Sequence, residues 1–324
     1  MPEKIKKNTL ISDIKEGDQI EDIFFVKFKK PLQKYSKGYW FEIRLEDTSD
    51  GIMLKYWGSN NQEEVQKAYD SIQKDAIILL KCRAAKYRDK IDLITNNPTD
   101  FRMLLPNEFD EKEFKRYTTK NMEEMSTELK QLIEQVQDNE IKSVLTEIFI
   151  TDTDFFEKFQ KAPAAVYLHH AWIGGLIEHT LNITKICLLM KKIYPQLNQD
   201  YLIAGALLHD IGKPREFSDK IRTVVSQEGM LVGHISIGVQ ILSEKMKKLN
   251  IPQEKQNRLI HLILSHHSKQ EFGSPKTPAF LEAFVVALAD ELDARTQLIT
   301  EKIEKANTEE ETIYTKEFGN IFLK

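Results

Sequence analysis

Cysteine is scarce in this chain of 324 residues: only Cys82 and Cys187 occur, far apart in the sequence. Two thiols placed in this way suggest neither a disulfide framework nor a thiolate metal site, and a reducing cytoplasm fits best. Apolar runs are also short, because none reaches the roughly 18–20 residues that cross a bilayer. The opening MPEKIKKNTL lacks the apolar core of a secretory signal. We therefore expect a cytoplasmic protein with no membrane partner.

A basic excess is missing as well. The chain has 46 Lys and Arg against 50 Asp and Glu, a formal net charge of −4. This balance argues against a protein that coats nucleic acid with a uniformly cationic surface, although it is compatible with a local basic groove. The chain is long enough for two ordinary domains, each with its own core.

Residues 1–103 have the pattern of short strands separated by turns. In YWFEIRLED, Phe41 and Ile43 alternate with Trp40 and Arg44, which is the period of a half-buried strand. Five such segments are present, and a stretch with helical spacing, NQEEVQKAYDSIQK, follows the third. Five short strands with a helix inserted after the third are typical of a small barrel of the OB type.

After the strands, the sequence changes to helices with short breaks. Residues 104–160 are charged and helical, and we interpret them as a connector. Residues 161–306 are predicted to form an all-α domain, and residues 307–324 a polar tail that is partly disordered. The predicted fold class is multidomain α+β: a small OB-type barrel followed by an all-α domain.

Histidine is confined to one part of the chain, since all eight histidines lie between residues 169 and 267. His179 lies on the inward, apolar face of its helix. In LLHDIGKP, His209 and Asp210 close a helix that is apolar on nearly all sides, and Gly212 is expected to end it. A buried carboxylate is costly unless it is paired or bound to a metal. The HD pair therefore predicts a partner from elsewhere in the chain.

Further histidines and a carboxylate stand at the ends of apolar helical stretches. Asp290 ends EAFVVALAD, and His234 begins a helix in LVGHISIGVQIL. His266 and His267 end RLIHLILSHH. Helical bundles build di-metal sites from side chains that project into the core, and imidazole and carboxylate donors without thiolate suit Mn, Fe, Co, Ni or Zn. One such histidine alone would more often be an ordinary core residue, but the whole set predicts a metal site.

The order and spacing of four residues resemble those of the HD superfamily of metal-dependent phosphohydrolases: His179, His209, Asp210 and Asp290. HDIGK is a strong local form of this motif. The resemblance implies an all-α, HD-type domain whose first metal ion is held by these four residues. No position of the motif is visibly replaced, so nothing indicates an inactive enzyme.

His234 and His266 are similar to the variant of this superfamily that binds a second metal ion. The resemblance implies that Asp210 bridges the two ions and that both histidines hold the second. His267 is the adjacent alternative to His266, and the sequence does not separate the two. Two divalent transition-metal ions are therefore expected, with Mn first and Co, Fe, Ni or Zn as alternatives.

A closer resemblance covers nearly the whole chain. An OB-type barrel followed by GGLIEHT, LLHDIGK, GHISIG, SHHSKQEFGSPKTP and ADELDA is similar to the YhaM-type 3′→5′ exoribonucleases. The resemblance implies hydrolysis of single-stranded RNA, with single-stranded DNA as a further substrate, to nucleoside 5′-monophosphates. That the strand is shortened from its 3′ end rests on the resemblance, because no residue spacing indicates it.

Asp210 and Lys213 are the candidate catalytic residues. Two metal ions about 3.5–4 Å apart can activate a bridging water and neutralise charge on a phosphate. Lys213 follows closely enough to direct its ammonium at a phosphate oxygen, or it is a solvated cation at the end of a helix dipole. His169 and His170 are second-rank metal or substrate contacts, or partly exposed residues without a role. Asp293, one turn further along the last of these helices, is expected to serve in a salt bridge.

The barrel offers aromatic and basic residues for nucleic acid. OB barrels bind single strands in a basic groove with aromatic rings on which bases stack, at roughly 1–3 kcal/mol per base. The aromatic candidates are Phe28, Tyr35, Tyr39, Trp40, Tyr56, Trp57 and Tyr87. About half of them must fill the interior of a small barrel. The residues we select for nucleic-acid contact are Trp40, Arg44, Lys55, Trp57, Tyr87 and Arg88.

Three hypotheses follow. The first is a metal-dependent 3′→5′ exonuclease, the second an HD hydrolase of nucleotides or cyclic nucleotides with a regulatory barrel, and the third a nucleic-acid-binding regulatory protein. The barrel favours the first over the second, because a mononucleotide enzyme does not need a stacking groove. The intact ligand set favours the first over the third. Whether the chain forms a homo-oligomer is left open.

Overall fold

The computed structural model of the protein describes residues 4–87, 90–166, 170–218, 221–304, 306 and 310–323. The chain divides into two compact units, Met1–Arg116 and Tyr117–Lys324. In the described ranges, no helix combines the length and the apolar character that crossing a membrane requires.

The first unit is a closed barrel. Its strands are β1 (Gln19–Lys29), β2 (Gln33–Tyr35), β3 (Gly38–Glu46), β4 (Gly51–Trp57), β5 (Ile77–Tyr87), β6 (Lys90–Thr95) and β7 (Phe101–Met103). Helix α1 (Gln62–Asp70) lies between β4 and β5 in the chain. The longer strands follow the order β1-β3-β4-β6-β5, and β5 pairs back onto β1. These are the five predicted strands with the helix after the third of them, so the OB-type barrel is confirmed; β2 and β7 are short additions.

The barrel interior follows the alternation seen in the sequence. Phe41, Ile43 and Leu45 on β3 are buried, while the residues between them face outward. Across the antiparallel pairing, Tyr56 on β4 stacks on Phe41 with ring centroids 4.8 Å apart. Tyr56 is therefore one of the aromatic candidates that belong to the core. Val65 on α1 is also fully buried in this cluster.

The second unit is mainly helical. Its helices are α2 (Met122–Glu134), α3 (Asn139–Thr146), α4 (Thr153–Lys161), α5 (Gly175–Ile193), α6 (Gln199–Leu208), α7 (Lys213–Glu216), α8 (Gln227–Lys248), α9 (Gln253–Ser265) and α10 (Leu281–Glu304). A single π-helical turn, Glu147–Thr151, separates α3 from α4. Two residues each form the strands β8 (Phe217–Ser218) and β9 (Val224–Val225). Every residue of α6 from Tyr201 onward is buried, because α6 packs among α3, α5, α9 and α10.

The segment that we interpreted as a connector contributes α2, α3 and α4 to this unit. On α2, Leu129, Leu132 and Ile133 are buried at the spacing of one helix face. They belong to the same core as Leu202 and Leu207 of α6. The many charged residues of the segment lie on the outer helix faces and mask this apolar stripe in the sequence.

The C-terminal residues contain a hairpin where we predicted a partly disordered tail. Strands β10 (Thr312–Thr315) and β11 (Gly319–Phe322) pair antiparallel. The turn is closed by Thr315, whose Oγ1 accepts a hydrogen bond from the Phe318 N–H at 3.1 Å, and Gly319 has a positive φ of 69°. Glycine adopts this left-handed backbone conformation without strain. The prediction is thus wrong for residues 312–322.

Both thiols are buried inside the two units. Cys82 lies in the barrel wall and Cys187 in the core around α5. Burial raises the pKa of each thiol to about 12. Both cysteines are free thiols.

Candidate metal centre

The six residues predicted as metal ligands come together in the helical unit: His179, His209, Asp210, His234, His266 and Asp290. They are delivered by α5, by the turn after α6, by the middle of α8, by the residue after α9 and by α10. His234 and Asp290 are the members that reach solvent, with 16% and 14% of their side chains exposed. The other four are buried, and we call the volume that the six side chains surround the pocket.

The turn that carries the HD pair is in direct backbone contact with α8. Helix α6 ends at Leu208, and the His209 N–H still donates to the Gly205 carbonyl at 3.0 Å. Gly212 follows this helix end, as expected, and has a φ of −79°. A Cβ at this position would lie 2.0 Å from the carbonyl oxygen of His234. The glycine is needed for close approach.

A break in α8 aims His234 at the pocket. Gly233 has φ 77° and ψ 151°, values that interrupt the helix and that glycine adopts without strain. His234 is the first residue after the break, and its backbone N–H donates to Glu216 Oε1 at 3.0 Å.

The carboxylate of Asp210 lies between two pairs of imidazoles. Its Oδ2 is 3.1 Å from His209 Nε2 and 3.8 Å from His179 Nε2. Its Oδ1 is 3.6 Å from both His234 Nε2 and His266 Nε2. Each oxygen thus faces two ring nitrogens, which is the arrangement of a carboxylate that can bridge two cations.

Each of the four imidazoles around Asp210 is held in place by a hydrogen bond at its second ring nitrogen, Nδ1. The Nδ1 atoms lie 2.7–3.0 Å from oxygen atoms that act as acceptors: those of Asp293, Ala206, Glu216 and Ile263 for His179, His209, His234 and His266, respectively. A carbonyl or carboxylate oxygen accepts only, so Nδ1 carries the proton. The Nε2 lone pairs of His209, His234 and His266 are then directed at Asp210, as in metal-binding histidines.

The donor set fits divalent metal ions. The Nε2 atoms of His209, His234 and His266 and Oδ1 of Asp210 are buried and have no hydrogen-bond partner among the described residues. Buried polar atoms are nearly always satisfied, and a group of them pointing at one volume indicates an ion. Nitrogen and carboxylate oxygen donors suit divalent transition metals.

Local charges set the protonation states of the pocket. Burial raises the pKa of Asp210, but the nearby Lys213 ammonium and His209 outweigh it and hold the pKa well below its usual range. Burial lowers the pKa of His266 far below its usual value and lowers that of His267 as well. The carboxylate is therefore ionised and both imidazoles are neutral near pH 7, which are the forms that bind metal.

His179 differs from the other ligands. Burial lowers its pKa, but hydrogen bonds to Asp290 and Asp293 raise it more, to about 9. Its Nε2 lies 3.1 Å from Asp290 Oδ1. Without a metal ion, His179 is protonated between two carboxylates, so a metal ion that binds Nε2 displaces a proton.

Lys213 is buried and paired. Its Nζ is 2.5 Å from Asp210 Oδ2, and 8% of the residue is exposed. The alternative of a solvated cation at a helix end does not fit this burial. The ammonium lies beside the carboxylate that faces the four imidazoles.

The second-rank histidines have different surroundings. His267 shares a cluster with His234 and His266 in which the potential ligand atoms lie within 4.8 Å of one another, and its Nδ1 is 3.0 Å from the Phe272 carbonyl. His170 is fully buried behind His179 and contacts Asp293 instead of Asp210. His169 lies outside the described residues.

Two carboxylates of the site escaped the sequence analysis. Asp293 orients His179, and Glu216 orients His234 through a 3.0 Å contact with Nδ1. The expected salt bridge of Asp293 is made with His179 and not with the arginine on this helix, Arg295, which pairs with Glu291. The position of Asp293 three residues after Asp290, on the same helix face, was the available signal.

The barrel carries a separate aromatic surface on β3 and β4. Trp40 and Trp57 are directly opposite in the strand register, and their rings stack with centroids 4.9 Å apart. Tyr35 meets Trp57 edge-on at 5.0 Å. The predicted outward orientation of Trp40 is confirmed, since it is half-exposed while Phe41 is buried.

Basic residues flank this aromatic surface. Lys55 lies 4.6 Å from the ring centroid of Tyr87, which is 61% exposed, and pairs with Asp92 at 2.6 Å. The guanidinium of Arg44 lies against Gly51, where a Cβ would be 2.5 Å from Nη2. Arg88 lies outside the described residues. Five of the six selected residues are thus on the outer face of β3, β4 and β5.

Fold and site together define a class: an enzyme in which an OB-type barrel is followed along the chain by an HD domain with a divalent-metal site. The HD domain family matches residues 176–295, a range that contains all six predicted ligands. The 3′-5′ exoribonuclease YhaM of Shouchella clausii is 32% identical over 89% of this chain and 88% of its own. Those of Bacillus velezensis and Bacillus subtilis are each 30% identical over 91% of both chains. The chain belongs to the YhaM 3′-5′ exoribonuclease family.

Proposed function

We propose that the protein is a metal-dependent 3′→5′ exoribonuclease that degrades single-stranded RNA, and also single-stranded DNA, to nucleoside 5′-monophosphates. The observation that carries this proposal is Asp210, whose two carboxylate oxygens each face a pair of imidazole Nε2 atoms. The names of the relatives support the substrate and the direction.

The pocket has donors for two ions, for which Mn²⁺ is the first candidate. The first ion would be held by His179, His209, Asp210 and Asp290. Asp210 would bridge to the second, which His234 and His266 would hold. His267 is near enough to replace or join His266. Such a metal pair, when bound, supplies an activated water and charge neutralisation at the phosphate.

The reaction adds one water across the last phosphodiester bond. The hydroxide part joins phosphorus, the bond from phosphorus to the 3′ oxygen of the preceding nucleotide breaks, and that oxygen takes up a proton. A nucleoside 5′-monophosphate leaves, and the shortened strand has a new 3′ hydroxyl. Lys213 would contribute its ammonium as a point charge for a phosphate oxygen, because it lies beside Asp210.

The aromatic surface of the barrel would hold the rest of the strand. Stacking on aromatic rings and contact with basic residues are how OB folds bind single strands without sequence preference. The stacked Trp40 and Trp57, with Lys55 and Tyr87 beside them, support this role. Because most of the proposed ligands are buried, a single strand end should reach them more easily than a duplex.

The test is degradation of labelled oligonucleotides with added Mn²⁺. We expect a ladder of shortened single-stranded RNA, with protection by a 3′ phosphate and none by a 5′ block. Equal degradation of both blocked strands, or cleavage of a circular RNA, would contradict the exonuclease proposal. Turnover of free or cyclic nucleotides alone would favour a small-molecule hydrolase, and binding without turnover a regulatory protein.

A further inference from the structure

Asp293 accepts three hydrogen bonds in the interior of the helical unit. Its Oδ2 accepts from His179 Nδ1 at 2.7 Å and from His170 Nε2 at 2.9 Å. Its Oδ1 accepts from the side-chain amide of Asn182 at 3.0 Å. One buried carboxylate therefore holds a proposed metal ligand and a second histidine at the same time.

His170 is held in an uncommon backbone conformation beside this carboxylate. Its φ is 52°, and its carbonyl oxygen would lie 2.0 Å from a Cβ at Gly175. The same carbonyl accepts from the Ala164 N–H at 3.1 Å. A left-handed, non-glycine residue is strained and persists where its surroundings fix it, often at functional sites.

Glu178 is a second carboxylate near His170. It accepts hydrogen bonds from Thr118 Oγ1 at 2.7 Å and from Trp172 Nε1 at 3.0 Å, and Lys120 Nζ lies 3.0 Å from it. Its Oε2 is 4.0 Å from His170 Nδ1. A second link runs from Lys120 to the Asn182 side chain at 3.4 Å, and Asn182 donates to Asp293.

Thr118 and Lys120 belong to the first residues of the helical unit. Tyr117 forms a β-bridge with Ile173, and the Thr118 N–H donates to the Ile173 carbonyl at 2.9 Å. The methyl group of Thr118 closes against Gly174, where a Cβ would lie 2.7 Å from it. The segment that begins this unit is thus bonded to the start of the metal-bearing helix α5.

We infer that Asp293 positions His179 for metal binding, and that Glu178 and the segment Tyr117–Lys120 support Asp293 through His170 and Asn182. The inference rests on the proposed function, since it concerns the same metal site. None of these supporting residues contacts the pocket oxygens of Asp210. They are positioning residues, and their loss should weaken binding of the first metal ion without removing a ligand.

The test is a Co²⁺ titration of the full-length protein, with affinity and the visible absorption bands as readouts. Residues behind a metal-binding histidine typically change metal affinity about 10–100-fold when replaced. Asp293→Asn should therefore weaken the first Co²⁺ by about 10–100-fold and shift its absorption bands. Glu178→Gln and Thr118→Val should act in the same direction with smaller effects, because they act through His170.

Glu128→Gln is the matched control. Glu128 pairs with Lys185 on the exposed side of α5 at 2.9 Å, so its loss removes a carboxylate that contacts the same helix away from the site. Its Co²⁺ affinity and spectrum should equal those of the wild type.

A positioning role and a merely structural role give different results. The inference is overturned if Asp293→Asn lowers the thermal midpoint but leaves Co²⁺ affinity and spectrum unchanged. If Asp293→Asn does not fold, the same result for Glu178→Gln and Thr118→Val overturns it. A wild-type protein that binds no Co²⁺, Mn²⁺ or Zn²⁺ would overturn the proposed function and the inference with it. Weakened affinity in the variants, with a metal-binding wild type, supports both.

Discussion

At the scale of single residues, Asp210 is where most of the charge of the site converges. Four imidazole nitrogens lie 3.1–3.8 Å from its oxygens, and the Lys213 ammonium lies 2.5 Å away. In the metal-free protein, Lys213 and the protonated His179 compensate the carboxylate. Bound cations would take over this role and free Lys213 for the substrate.

Asp210→Asn should abolish turnover of RNA and of a small phosphodiester, because the amide cannot bridge two cations. Metal analysis by mass spectrometry should find fewer than two ions per chain, against two in the wild type. Asp154→Asn, on an exposed position of α4, is the control and should keep both ions. Turnover by metal-stripped Asp210→Asn would refute the assignment of the site.

The sequence predicted the inner residues of the site but not their supports. His179, His209 and Asp290 could be identified because they interrupt apolar helical stretches, where a polar residue needs a reason. Asp293 could be placed on the same helix face as Asp290, but neither it nor Glu216 could be assigned to a histidine, since helical spacing does not show which acceptor an imidazole Nδ1 faces. That relation depends on how α5 packs against α10 and how α7 packs against α8.

At the scale of elements, helices α4 and α8 are joined by an ion cluster far from the metal site. Lys245 lies 2.7 Å from Asp152, which caps α4, and Lys248 lies 2.8 Å from Glu147. The hydrogen bond from Lys245 lowers the pKa of Asp152, and that from Lys248 lowers the pKa of Glu147. Because these pKa values are lower in the folded state, the stability they provide is present above the unfolded pKa and is lost as the pH falls through the folded pKa.

Lys245→Met should therefore destabilise the protein by about 0.5–1 kcal/mol at pH 7, within the range of partly exposed ion pairs. The difference from wild type should shrink as the pH falls below about 4, where Asp152 loses its charge first in the unfolded protein and, at lower pH, in the folded one. Urea unfolding at a series of pH values measures this. Lys192→Met, at an exposed position, should show neither effect, and a pH-independent loss for Lys245→Met would exclude the ion pair as its cause.

Element types were predictable where the pattern is long, and less so where it is short or mixed. The strand Gly38–Glu46 follows its period closely, and the helix Gln199–Leu208 is recognisable from its long unbroken apolar run. The hairpins at residues 217–225 and 312–322 have strands of two to four residues, too short for a period to show. Helix α2 was taken for part of a connector because charged residues outnumber the three or four that enter the core.

At the scale of the whole molecule, recognition and hydrolysis are assigned to different units of the chain. The aromatic surface lies within Met1–Arg116, and all six proposed ligands lie within Tyr117–Lys324. The two activities should therefore be separable by mutation.

Trp40→Ala together with Trp57→Ala should weaken binding of long single-stranded RNA by about 1–3 kcal/mol for each lost stack. Hydrolysis of a small chromogenic phosphodiester should not change. Removal of residues 1–116 leaves the Thr118 contacts in place. It should weaken RNA binding further and should also leave hydrolysis of the small phosphodiester unchanged. Tyr314→Ala, a 77% exposed aromatic residue in the C-terminal hairpin, is the control. Unchanged RNA affinity in the double variant would show that the barrel has another role.

The two buried thiols have a practical consequence for such experiments. Because Cys82 and Cys187 are enclosed and their pKa is raised to about 12, they remain protonated and shielded under the conditions of maleimide coupling. A new cysteine on the surface of either unit can then carry a fluorophore while both native cysteines stay in place. The native cysteines therefore do not have to be replaced before the folded enzyme is labelled.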